Sequence, residues 1–90
     1  MKVYEIKVDW AVDYSQDSET ILFSNEKKAR VEFDKQVESA KIDYDVFDKE
    51  TGKVKEGWCL EKSINAWEIW EDGLYLENHC SITITEKEVL

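Results

Sequence analysis

Between residues 3 and 14 the chain alternates almost without interruption. Tyr4, Ile6, Val8, Trp10, Val12 and Tyr14 fall on one side, and Glu5, Lys7, Asp9 and Asp13 on the other, together with Val3 and Ala11. A period of two with aromatic and β-branched residues on one face predicts a half-buried strand. The polar run SQDSE, 15–19, reads as a loop, and TILF, 20–23, as a short second strand hairpinned with the first.

The period then lengthens. Ala29, Phe33, Val37, Ala40 and Tyr44 recur every three or four residues, which predicts a helix over about 25–43 with one apolar stripe. Ser24 or Asn25 is a suitable cap, and Glu26 places an acid in the first turn. Arg30 and Asp34 are spaced for an ion pair along the helix.

Strand-like sequence returns at 44–48 and 54–62, around a turn holding Gly52. The ETGK in that turn is not a phosphate loop, because it lacks the upstream glycine and the Ser/Thr after the lysine, and it precedes a strand. The closing stretch, AWEIWEDGLYLENHCSITITEKEV, reads as a hairpin with Asp72-Gly73 in a type I′ turn. That turn sets Trp70 opposite Tyr75, Ile69 opposite Leu76, Glu68 opposite Glu77 and Trp67 opposite Asn78. It predicts an inner face of Trp67, Ile69, Leu74, Leu76, Cys80, Ile82 and Ile84, packed on the helix. The outer face carries Glu68, Trp70, Tyr75, Glu77, His79, Ser81, Thr83 and Thr85.

These elements predict an α+β fold in a single domain, 1–90: strand, strand, helix, then up to four further strands. About five strands form a mostly antiparallel sheet, with the helix on one face. The chain has 90 residues, no proline and no repeat, and its 42% hydrophobic residues are enough for a compact core. The net charge of −9 argues against direct binding to nucleic acid or to anionic membranes and leaves partners with basic faces open. The N-terminus has no signal-peptide core, and the longest aliphatic or aromatic run is 21–23. A soluble cytoplasmic protein follows as the expectation. Trp58 and Leu60 on the core side turn Cys59 outward, opposite to Cys80, so two free thiols are expected rather than a disulfide.

Chemistry-bearing motifs are sparse. No zinc spacing, Gly-rich cradle or nucleophile elbow occurs, and the spacing gives the single histidine no nucleophilic partner. No catalytic residue, metal ligand or cofactor is assigned. What remains is the outer-face group Glu68, Glu77 and His79 beside Trp70 and Tyr75. Aromatics on an otherwise polar face are common interface anchors. The two carboxylates and the imidazole offer an alternative, a metal-dependent enzyme.

The segments ETILFSNEKKARVEFDKQVESAK and WEDGLYLENHCSITITEKEV resemble a type of small uncharacterised acidic protein of bacteria and their phages. Those proteins run strand, strand, capped helix, then a hairpin with an aromatic-acid-Gly-aromatic turn. The resemblance carries no catalytic residue to this chain. The function expected is non-enzymatic binding, to a protein partner or to a second copy in a homodimer, through the face holding Trp70, Tyr75, Glu68, Glu77 and His79. In one variant, clustered acids (Asp9, Asp13, Asp17 and Glu19, with Asp43, Asp45, Asp48 and Glu50) present carboxylates to a nucleic-acid-binding protein where phosphates would sit.

Overall fold

A computed structural model describes residues 1–89. The alternating N-terminal segment forms strand β1, Lys2–Val12, and hairpins with β2, Ser15–Phe23. Nine consecutive cross-strand pairs join them, from Tyr4 opposite Phe23 to Val12 opposite Ser15. The polar run 15–19 is therefore strand and not loop. It lies at the sheet edge, where a strand exposed on both sides needs no apolar face. The turn is two residues long, Asp13-Tyr14, and both have positive φ, 48° and 72°. That geometry matches the right-handed twist of the flanking strands. Tyr14 accordingly leaves the strand face and stands 78% exposed.

Helix α1, Glu26–Tyr44, begins where its cap predicts. The Asn25 side chain accepts the Lys28 N–H at 3.0 Å, which satisfies one of the donors left free in the first turn. The helix stops without glycine: Asp45 takes φ 47° and donates its N–H to the Lys41 carbonyl at 3.2 Å, the left-handed cap that Asp tolerates better than most residues. Ala29, Phe33 and Ala40 are buried, with Val37 and Tyr44 packed beside them. Arg30 does not pair with Asp34. It reaches across and donates to the Ile64 carbonyl and the Asn65 side chain, tying the helix to the next hairpin.

That hairpin is β3, Trp58–Ser63, with β4, Ala66–Glu71. The expected strand at 44–48 reduces to one bridge, Phe47 with Val54. The Asp48 carboxylate holds this turn by accepting the Glu50 and Thr51 N–H groups, at 2.8 and 3.0 Å. These bonds favour its charged form and lower its pKa. The last strand, β5, His79–Glu88, inserts between β1 and β4, giving the antiparallel order β2-β1-β5-β4-β3.

One face of this sheet is the core. Ile6 and Val8 of β1, Trp67 and Ile69 of β4, and Cys80, Ile82 and Ile84 of β5 are buried against the helix and the segment after it. Val46 is buried and Phe47 stacks on Trp67 with ring centroids 6.3 Å apart. One helix thus covers the centre of the sheet, and the chain following it covers the β4–β3 side. Among the described residues no helix is long and apolar enough to cross a membrane.

Candidate functional site

The Asp72-Gly73 turn does not make the two-residue hairpin that its sequence suggests. Trp70 pairs with His79 and Ile69 with Cys80, so residues 72–78 form a seven-residue connection. The connection closes on itself: Glu71 N–H donates to the Asn78 carbonyl at 3.1 Å, and Leu74 N–H to the Glu71 carbonyl at 2.9 Å. Leu74 and Leu76, expected in the core, are 38% and 67% exposed. Glu68 does not face Glu77. It sits between Glu61 of β3 and Ser81 of β5, while Glu77 lies in the connection and offers its carbonyl to the Tyr14 N–H at 3.4 Å.

The connection folds back over the outer face and is pinned to the β1–β2 turn. Asn78 Oδ1 accepts the Asp13 N–H at 3.2 Å, and Gln16 Nε2 donates to the Leu76 carbonyl at 3.1 Å. These bonds explain why Ala11, on the polar-facing side of β1, has no exposed surface. They also set Tyr75 as a lid. Its ring stacks on the His79 imidazole with centroids 4.5 Å apart and planes 5° from parallel. It meets Trp70 edge-on at 6.0 Å, and its hydroxyl donates to the Glu68 carboxylate. His79 Nδ1 is hydrogen-bonded to the Tyr75 carbonyl at 2.8 Å. The imidazole therefore lies on the expected outer face but is 9% exposed, sealed by Tyr75 and not open to water.

The lid is also electrostatically coupled. The hydrogen bond to the Glu68 carboxylate, followed by partial burial, pushes the Tyr75 phenol up to about 12, because a neutral phenol can donate and a phenolate cannot. Across the sheet, the Tyr44 hydroxyl donates to the His79 carbonyl at 2.7 Å, so β5 is held from both faces at one residue.

Of the expected site residues, Trp70, Tyr75, Glu68 and His79 come together, through the lid and not through a cross-strand register. Glu77 contributes only backbone. The Glu68, Glu77 and His79 constellation is not assembled, and no group of three or more potential ligands gathers among the described residues. Sequence reasoning missed the apolar tip beside the lid. Val12 and Tyr14 of the first hairpin, with Leu74, Tyr75 and Leu76, are 38–78% exposed on two segments joined by hydrogen bonds. An unbroken nine-pair register would have revealed Asp13-Tyr14 as a turn and so exposed Tyr14.

Both cysteines are free, Cys59 half-buried and Cys80 buried on the core face. Burial, aided by Asp43 and other nearby acids, pushes the Cys80 thiol up to about 12. In native protein at pH 8 a disulfide reagent should label Cys59 first, with Cys80 slower by about a hundredfold or more because its thiolate is rare and shielded. Equal rates in folded protein would contradict the placement of Cys80.

No known protein family, no curated protein and no solved structure matches this chain.

Proposed function

We propose that the chain is a non-enzymatic binding protein that docks a polypeptide partner with a basic rim through the tip formed by Tyr14, Leu74, Tyr75 and Leu76. The observation that supports this most is the fixed exposure of these apolar side chains on segments held by backbone and side-chain hydrogen bonds. Exposed apolar side chains on a rigid support suit an interface, since little ordering entropy remains to be lost on binding. Trp70 stiffens the lid from beneath.

Charge selects the partner. The four ion pairs among the described residues join Met1, Lys2, Lys41 and Lys87 to glutamates. Asp9, Asp13, Asp17 and Glu19 near the tip take part in none of them. On a chain of net charge −9 this disfavours a second copy and favours Lys/Arg around an apolar contact.

Tyr14 provides the sharpest test, because strain and function pull in opposite directions. A tyrosine at φ 72° sits where glycine is preferred. Tyr14→Gly should stabilise the fold by about 1 kcal/mol in urea titration. It should weaken partner binding, as should Leu76→Ser at unchanged stability. In cross-linking from cell extract, a protein captured by wild type and lost with both variants is the expected result. Capture unaffected by either substitution would overturn the tip as the docking site. A wild-type dimer at tens of micromolar, broken by Leu76→Ser in sedimentation, would replace the foreign partner with a second copy.

A further inference from the structure

We propose that the free edge of β2 is a docking edge for an extended segment, apolar in its N-terminal half and basic in its C-terminal half, which adds as a sixth, antiparallel strand. The proposal rests on the reading of the chain as a polypeptide binder and specifies how the partner lies.

Three observations converge on this edge. First, β2 is the outermost strand, nine residues long, and runs without a bulge or a proline. Among the described residues no strand pairs with its outer side, one outward N–H (Ser18) being taken locally by the Asp17 carboxylate at 2.8 Å, and it carries no lysine or arginine. The opposite edge, β3, is six residues long and bears Lys62. Long unprotected edges invite strand addition, and β3 shows the protection that β2 lacks.

Second, the side chains along β2 are graded. Glu19 and Asp17 lie opposite Val8 and Trp10, on the core side, while Ile21 and Phe23 lie opposite Ile6 and Tyr4. An added strand would therefore meet acids at its C-terminal half and apolar groups at its N-terminal half. Neither acid is in an ion pair among the described residues. Like charges set directly opposite are destabilising and opposite charges are favourable, so lysines are preferred there.

Third, the core face beside this acidic half is not fully covered. A groove of about 540 Å³ runs beneath the C-terminal half of α1, floored by Val8, Trp10 and Val12 and rimmed by Glu19 and Asp43. A side chain entering from the added strand finds an apolar floor with carboxylates at its mouth, the environment in which a lysine buries its stem and keeps its ammonium in water. In a fully overlapped antiparallel pair with a second copy, Glu19 would face Glu19 and Asp17 would face Ile21, so neither acid would meet a cation and the pairing is disfavoured.

The probe is the synthetic peptide Val-Ile-Val-Thr-Lys-Thr-Lys-Thr, whose lysines fall opposite Glu19 and Asp17 in the antiparallel register. It is tested by calorimetry against the full chain, with two forms N-methylated at alternate residues of either parity. Strand addition uses the N–H groups of one parity only. One methylated form should therefore bind about tenfold or more weakly, while the other matches the parent. Asp17→Lys/Glu19→Lys should lose the peptide and gain its glutamate counterpart.

Undiminished binding by both methylated forms would mean simple charge attraction and would overturn the proposal, as would equal loss for both or no binding at all. Leu76→Ser separates the two readings. If it abolishes partner capture while the peptide binds no variant, the tip reading stands and the edge reading falls.

Discussion

Ile82→Ala should cost about 3–4 kcal/mol of folding stability, the loss typical of a large aliphatic side chain with no room to collapse around it. Ile82 is fully buried on the central strand, paired with Val8 on one side and Trp67 on the other. A domain of this size has on the order of 5–10 kcal/mol to lose, so the variant should unfold at much lower urea. Thr83→Ala, one residue along on the polar face, should change stability by less than about 1 kcal/mol. The pair tests the parity of β5 directly. Equal losses would mean that the strand is not divided between core and solvent as the fold requires.

That parity was legible in the sequence although the register was not. The Asp-Gly signal set Trp70 opposite Tyr75, whereas its partner is His79, four residues further on. A shift by an even number preserves which face each side chain takes, so Cys80, Ile82 and Ile84 were placed correctly for a pairing that does not exist. The residues between were the ones misread. Leu74 and Leu76 alternate as a strand does, but Asn78 finds better partners off the ladder. Its Nδ2 donates to the Glu71 carboxylate at 3.3 Å and its Oδ1 accepts from Asp13. Those bonds depend on the tip of the β1–β2 hairpin, more than sixty residues away in sequence, so no local pattern carries them. The helix was legible for the opposite reason: its cap, first-turn acid and stripe are all local. The β1–β2 turn was hidden because Asp-Tyr is a poor fit to positive φ, and tertiary contacts hold it there.

The candidate site follows the same division. Its members were readable as residues of one face, whereas the lid that seals His79 depends on the long-range pinning of residues 72–78. Charge was readable throughout, and it supports the proposed basic, apolar partner more than any motif does.

Tyr75→Ala should release that lid. The substitution removes the stack on His79, the edge contact with Trp70 and the hydrogen bond to Glu68. At about 0.5–1.5 kcal/mol for an aromatic pair beyond its buried area, with a partly exposed hydrogen bond added, the loss should be about 2 kcal/mol. Tyr75→Phe keeps both ring contacts and should cost about 1 kcal/mol or less. Hydrogen exchange distinguishes the effects, because the Glu71 and Asn78 amides, protected within the connection, should exchange faster in Tyr75→Ala and stay near wild type in Tyr75→Phe. The pH dependence has a definite sign. The neutral phenol is favoured in the folded state, so its contribution is complete below the ordinary tyrosine pKa near 10 and disappears as pH rises through about 12. Tyr75→Phe should therefore remove part of the alkaline loss of stability. If Tyr75→Ala left both the amides and the tryptophan fluorescence unchanged, the lid would not be what holds the connection, and the hydrogen bonds to the β1–β2 turn would hold it without the lid.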